Sequence, residues 1–248
     1  HSFVWRLFNM RIIIISILVS GLTFAQGFLH NMNGEVVDGS GEPILLRGFG
    51  LGGWLVPEGY MLHNQAWIEG FESPTDIENH VIDLIGQDEA NDFWELYRAN
   101  YVAQADIDKI AEWGFNHIRV PFHYKQFYDS TGTETPIGYA IVDELITWCQ
   151  PHNIYIILDM HCAPGAQNGG PISDSDGIAR LWLEDSYKEL TIQIWKEIAT
   201  YYADHTLIAG YDLINEPVLP GSVSLEEFKQ LYVDITEAIR EVDNNHLI

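Results

Sequence analysis

The sequence predicts an α/β fold in which parallel strands alternate with amphipathic helices. The order of the apolar segments and their periodicity both support this prediction. Strands are expected at residues 115–120, 154–158 and 211–214, which are short apolar runs. Helices are expected at residues 103–113, 187–202 and 225–242, where apolar side chains recur at helical spacing. Because this alternation implies right-handed crossovers, the fold is either a barrel or a doubly wound sheet.

The elements at the two ends of this pattern are shorter. Residues 28–37 and 44–46, separated by the turn-forming residues 38–41, predict a β-hairpin. Residues 246–248 follow the last helix and are expected to open another strand. Residues 51–53 are Leu-Gly-Gly, without the glycine spacing of a dinucleotide-binding loop. A nucleotide-binding sheet is therefore the weaker alternative.

Residues 1–25 are expected to be upstream residues followed by a secretory signal peptide. Arg11 supplies a positive charge, residues 12–19 are apolar apart from Ser16, and small residues precede a cleavage site at Ala25. The apolar run is too short to cross a bilayer, so we expect no membrane association after cleavage. Residues 26–248 contain no linker or low-complexity tract, and we expect them to belong to one secreted domain.

The charge balance narrows the range of partners. The chain has 36 acidic and 12 basic side chains, for a formal net charge of −24. Phosphate backbones and anionic lipids repel such a polyanion, which argues against nucleic-acid and membrane partners. A monomeric secreted protein acting on a neutral substrate fits this charge. Cys149 and Cys162 are predicted near opposite ends of a βα layer, so both are expected to be free thiols.

Polar side chains stand at the carboxyl end of each predicted strand. They are Arg119 and His123, Asp159 and His161, and Asn215 and Glu216. In a parallel α/β fold this edge faces the ligand crevice or the barrel mouth. Pro217 ends the third strand and keeps Glu216 out of the helical region, which holds a carboxylate beside an amide. A charged residue at this position is costly unless the site uses it.

Two of these residues have alternative interpretations. Arg119 is equally well explained as the partner of a buried carboxylate. Asp159 and His161 share one strand face and have the spacing of two metal ligands. No third ligand follows the same logic, so we expect neither a metal nor another cofactor.

Four segments resemble glycoside hydrolase family 5, the cellulase family within a large clan of configuration-retaining barrel enzymes. The segments are residues 47–55, 116–121, 158–161 and 213–217, the last being Leu-Ile-Asn-Glu-Pro. They occur in the order that the family requires, and the resemblance extends from about Gly34 to the end of the chain. It implies an α/β fold of the (β/α)8 TIM-barrel type. The present sequence would cover about the first four βα units and the start of the fifth strand, the N-terminal half of the barrel.

The resemblance also implies roles for individual residues. Glu216 would be the catalytic acid/base, and Asn215 would hydrogen-bond the sugar's 2-hydroxyl. Arg119 would orient the nucleophile, and His161 would contact the same sugar. The family's nucleophile is a glutamate at the end of the seventh strand. It would lie beyond Ile248, so the chain as given is expected to be inactive alone.

The expected substrate is a β-linked glucan of the cellulose or β-1,3/β-1,4-glucan type, because residues 47–55 and 163–169 are most similar to members that act on β-glucans. Mannan, xyloglucan or xylan remain alternatives within the same fold. A non-catalytic carbohydrate-binding barrel is an alternative of a different class. Aromatic rings stack on sugar faces, and Trp54 is expected to contribute to a substrate-binding wall, with Tyr60 and Trp67 as further candidates.

Overall fold

The computed structural model describes residues 27–62, 70–129 and 132–248. The chain enters through a short antiparallel hairpin, β1 (His30–Met32) and β2 (Glu35–Val37). The main sheet is parallel, and its strands lie in the order β3 (Gly48–Gly50), β4 (His117–His123), β5 (Tyr155–Cys162) and β6 (Ile208–Asp212). The predicted α/β class with parallel strands is therefore confirmed.

Helices connect these strands and cover the sheet. They are α1 (Gly59–Leu62), α2 (Pro74–Ile85), α3 (Gln87–Tyr101), α4 (Gln104–Glu112), α5 (Ile137–Cys149), α6 (Asp185–Tyr202) and α7 (Leu225–Arg240). Among the described residues no helix is long and apolar enough to cross a membrane. The predicted signal peptide at residues 1–25 lies outside the described residues.

The strand β6 begins three residues earlier than expected and ends at Asp212 rather than at residue 214. Gly210 lies in the part of β6 that was not predicted, and glycine usually weakens a strand. Here the glycine permits a close backbone approach. A Cβ atom at this position would lie 2.5 Å from the carbonyl oxygen of Leu247. Leu247 forms a parallel bridge with Gly210, which agrees with the expectation that another strand opens at residues 246–248.

The predicted N-terminal hairpin is confirmed in part, because its first segment contains a further turn. Residues 28–37 do not form one strand, because the chain reverses at Asn33 and Gly34, whose φ angles are 57° and 88°. Two successive residues with positive φ are the requirement of a tight hairpin turn, and the Asn-Gly pair is its usual sequence. Residues 44–46 are not assigned as a strand, but the predicted turn at residues 38–41 is present. Val37 forms an antiparallel bridge with Pro43, and the backbone N–H of Ile44 donates to the carbonyl oxygen of Val36 at 3.0 Å.

The core lies between the sheet and the helices packed on it. Ile118 and Val120 of β4 and Ile156 and Leu158 of β5 are fully buried. Trp195 of α6 is also fully buried, and its Nε1–H donates to the carbonyl oxygen of Leu213 at 3.0 Å. This bond attaches the segment after β6 to a helix that packs in the core. Both cysteines are buried and unpaired, as expected.

Candidate active site

Arg119 within β4, His161 near the end of β5 and Asn215 just after β6 meet on the parallel sheet. Arg119 Nη2 donates to Asn215 Oδ1 at 2.9 Å. Asn215 Nδ2 lies 3.3 Å from His161 Nε2. The structure thus brings together three predicted site residues from three different strands or strand ends. Glu216 follows Asn215 directly, and its carboxylate is close enough to Glu58 for its charge to raise the pKa of that residue.

Two aspartates hold Arg119 in place. Asp212, the last residue of β6, accepts from Nε at 3.0 Å and from Nη2 at 2.9 Å. Asp159 Oδ2 lies 3.0 Å from Nη2 and 2.7 Å from Nδ1 of His161. Burial raises the pKa of Asp159, while the hydrogen bond and charge of His161 and the charge of Arg119 act in the opposite direction. The interpretation of Arg119 as a partner of buried carboxylate therefore agrees with its contacts.

Glu216 has an unusual backbone conformation. Its φ angle is 43°, in the left-handed region that non-glycine residues seldom adopt. Such a conformation costs on the order of 1–3 kcal/mol and persists only where the surroundings impose it. Here Asn168 Nδ2 donates to the Glu216 carbonyl oxygen at 3.0 Å, and Pro217 restricts the chain on the other side. The Glu216 side chain is exposed at the sheet edge.

The loop after β5 clamps the Asn215-Glu216 pair through Gln167. This side chain has no exposed surface. Its Nε2 donates to the carbonyl oxygens of His161 at 2.6 Å and of Asn215 at 2.8 Å, and its Oε1 accepts from the backbone N–H of Ala163 at 3.1 Å. One buried amide therefore joins the end of β5 to the segment that carries Glu216.

Glu58 is a site residue that the sequence reasoning missed. It precedes α1, is 3% exposed, and its Oε1 lies 4.0 Å from Nε2 of His161. Burial raises the pKa of Glu58; the charge of His161 and a hydrogen bond with Tyr60 lower it, and the negative charge of Glu216 raises it further. The sequence signal was a charged residue directly after the apolar stretch at residues 54–57.

The expectation that Trp54 forms a substrate-binding wall is wrong. Its side chain is 3% exposed and belongs to the main hydrophobic core. Its Nε1–H donates to the carbonyl oxygen of Arg98 in α3 at 2.8 Å. A ring with so little exposed surface has no face to offer a sugar. Trp67 lies outside the described residues.

His123 also differs from the other polar residues at the strand ends. It is 4% exposed, and its Nε2 lies 2.9 Å from Oδ2 of Asp174. The same carboxylate accepts from Lys125 Nζ at 3.0 Å and from Thr75 Oγ1 at 2.7 Å. Burial lowers the pKa of His123, whereas its hydrogen bond to the Asp174 carboxylate raises it. This cluster joins the start of α2 to the end of β4.

The parallel sheet carries a glutamate, an asparagine, a histidine and an arginine beside its carboxyl edge, where α/β folds bind their ligands. The comparison with known families is specific. Residues 75–248 match the model of the cellulase family, glycosyl hydrolase family 5. The chain belongs to glycoside hydrolase family 5, a family whose fold is a (β/α)8 barrel.

Individual relatives agree with this assignment. The chain is 34% identical to a β-xylosidase from Phanerodontia chrysosporium, over 90% of this chain and 46% of that protein. It is 28% identical to a probable glucan 1,3-β-glucosidase A from Aspergillus niger, over 76% of this chain and 45% of that protein. The chain thus spans about half the length of the curated relatives it matches.

A solved structure shows the same fold. The chain superimposes on rutinosidase from Aspergillus niger with a TM-score of 0.68 and 20% sequence identity. The match covers 81% of this chain and 60% of the rutinosidase chain. At this identity the likeness concerns the fold.

Proposed function

We propose that this chain supplies the acid/base half of a retaining glycoside hydrolase site, with Glu216 as the acid/base. The observation that carries the proposal is the position of Glu216 beside Asn215, whose amide is bonded to Arg119 and lies 3.3 Å from His161. A strained backbone at Glu216 supports the same interpretation, because strain is retained where a precise side-chain position is needed.

In this mechanism Glu216 first protonates the leaving oxygen and then activates water. The second carboxylate, the nucleophile, stands about 5–5.5 Å from the first in retaining enzymes. By the family resemblance, the nucleophile would be a glutamate at the end of a seventh strand, outside the described residues. Arg119 is 30% exposed, so part of its side chain stays accessible.

Asn215, His161 and Glu58 are proposed to hold the sugar at the cleavage point. Only one of the two Asn215 Nδ2 hydrogens is needed for His161, which leaves the other for a sugar hydroxyl. The 4.0 Å between Glu58 Oε1 and His161 Nε2 is too long for a direct hydrogen bond. A buried carboxylate at that distance is placed to accept from a hydroxyl that enters between the two side chains.

The proposed substrate is a β-linked glucan. The names of the relatives include glucan 1,3-β-glucosidase and β-xylosidase, and the 34% identity to the latter favours a β-xyloside as a second candidate. Secretion remains part of the proposal, as does action as a monomer. The alternative is a carbohydrate-binding barrel without catalytic activity. Kinetic measurements on the full-length protein would distinguish it from a glycoside hydrolase.

The test uses Glu216→Ala and Glu216→Gln in the full-length protein. Substrates with an activated aryl leaving group do not need the first protonation, although the second step still needs the base. Glu216→Ala is therefore expected to abolish hydrolysis of β-glucan while an aryl glycoside still gives a burst of one phenol per enzyme. Glu216→Gln, which cannot titrate, is expected to lose the basic limb of the pH–rate profile. Equal loss on both substrates, without a burst, would contradict the assignment.

A further inference from the structure

Four side chains at the sheet edge form a closed ring of contacts. Arg119 Nη2 donates to Asn215 Oδ1, and Asn215 Nδ2 faces His161 Nε2. His161 Nδ1 faces Asp159 Oδ2 at 2.7 Å, and that same oxygen lies 3.0 Å from Arg119 Nη2. A ring of this kind has few consistent arrangements of hydrogen atoms, because each donor must face an acceptor.

Arg119 fixes the direction of the first bond. A guanidinium group only donates, so the atom of the Asn215 amide that faces it must be the oxygen. The amide nitrogen then faces His161, and this nitrogen has hydrogens to donate and no lone pair to offer. His161 Nε2 is consequently the acceptor, and the ring proton of a neutral His161 is on Nδ1.

Asp159 provides the acceptor for that proton. The side chain is completely buried, and Oδ2 is the oxygen that contacts both His161 and Arg119. A buried carboxylate cannot rotate toward bulk water, so it favours one tautomer of the histidine over the other.

We propose that Asp159 is a positioning residue that stabilises the Nδ1-protonated tautomer of His161, which keeps Nε2 as the acceptor for the Asn215 amide that Arg119 orients. This inference rests on the proposed function, in which Asn215 binds a hydroxyl of the sugar. The inference adds a physical reason why Asn215 can bind that hydroxyl. With one Nδ2 hydrogen directed at His161 and the oxygen held by Arg119, the second Nδ2 hydrogen keeps a fixed direction toward the sugar.

The direct test is ¹⁵N NMR of the full-length protein labelled at histidine, with the His161 signals assigned by their absence in His161→Gln. The wild-type protein is expected to show His161 protonated on Nδ1. A wild-type His161 protonated on Nε2 overturns the proposal without any Asp159 variant.

Two substitutions extend this test. Asp159→Ala removes the acceptor and is expected to move the proton toward Nε2. Asp159→Asn is expected to retain the wild-type tautomer, because its carbonyl oxygen can take the place of Oδ2 and accept from both neighbours. An unchanged His161 signal in Asp159→Ala would overturn the proposal.

Asp243→Ala is the matched control. Asp243 is 1% exposed and its Oδ2 lies 2.5 Å from Nδ1 of His246, so this substitution breaks the same kind of buried pair outside the site. It is expected to lower the unfolding temperature and leave the His161 signals unchanged. A change in those signals would show that they respond to general loosening of the fold, which would overturn the assignment to Asp159.

Kinetic measurements distinguish a positioning role of Asp159 from a role in packing alone. On an aryl β-glucoside, Asp159→Ala is expected to lower kcat/KM by about 100-fold, as a misplaced group near the reacting atoms does. On the 2-deoxy analogue, which lacks the hydroxyl for Asn215, the loss is expected to be much smaller, and Asp159→Asn is expected to restore most of the activity. Equal losses on both substrates would overturn the role through Asn215. If the full-length protein hydrolyses no glycoside, the proposed function fails while the NMR result still decides the tautomer.

Discussion

Gln167 is predicted to stabilise the fold and to hold the catalytic segment in place. Its buried amide makes three hydrogen bonds, to the backbone of Ala163, His161 and Asn215. Gln167→Ala removes all three and leaves one buried N–H and two buried carbonyl groups without this partner. The substitution is therefore expected to reduce both the free energy of unfolding and the rate of catalysis.

The magnitude follows from the contacts. Each buried polar group that loses its partner costs about 1–3 kcal/mol. Water entering the vacated space restores part of the hydrogen bonding. The expected loss is thus at the lower end of the sum, about 3 kcal/mol, which is a large part of the 5–15 kcal/mol typical of a domain. The freed Asn215-Glu216 segment is expected to lower kcat by about 100-fold.

The assay is urea unfolding followed by tryptophan fluorescence, together with steady-state kinetics on an aryl glycoside. Gln193→Ala is the control, because Gln193 lies on α6 and its amide is exposed, although it contacts Tyr128 and Glu197. Exposed substitutions of this kind usually change stability by no more than about 0.5 kcal/mol. The reasoning is refuted if Gln167→Ala is no less stable than Gln193→Ala, or if its kcat equals that of the wild type.

Two further predictions concern Glu58 and Trp54. Burial raises the pKa of Glu58 above its ordinary value of 4.5, so ionisation of this side chain opposes folding. The stability of the wild type is therefore expected to fall as the pH rises from 4.5 through the folded-state pKa. In urea unfolding, the stability of Glu58→Gln is expected to equal that of the wild type below pH 4.5 and to exceed it increasingly as the pH rises through that window. The variant is also expected to bind substrate more weakly. A stability difference that is constant at all pH values would contradict this. Trp54→Phe leaves the Arg98 carbonyl without its donor and is expected to cost about 1–3 kcal/mol in the same unfolding assay with an unchanged KM. A raised KM without loss of stability would restore Trp54 as a sugar contact.

The parts of the fold that depend on periodicity were predictable from the sequence. The helices α4, α6 and α7 and the strands β4 and β5 lie within a few residues of their expected positions, because apolar spacing reports burial directly. The start of β6 was missed, since Gly210 is explained only by the neighbouring backbone of Leu247. The turn at residues 38–41 was predicted, whereas the earlier turn was missed even though Asn33-Gly34 is a strong turn signal.

The candidate site was predictable where polar residues end a strand. Arg119, His161 and Asn215 come together because the carboxyl ends of parallel strands share one edge. Glu58 and Gln167 come from connecting segments, and no periodicity marks the side chains that such segments direct inward. Trp54 shows the opposite error, since a tryptophan suits a sugar-binding wall and a hydrophobic core equally well by residue type.

The configuration of the glycosyl azide made by Glu216→Ala tests the central claim most directly. With an aryl β-glycoside and added azide, the full-length variant is expected to form a glycosyl-enzyme on its intact nucleophile. Azide then attacks from the face that Glu216 occupied, so two inversions give the β-glycosyl azide, identified by the coupling of its anomeric proton. An α-glycosyl azide would mean that azide displaced the aglycone directly, and that Glu216 is the nucleophile rather than the acid/base.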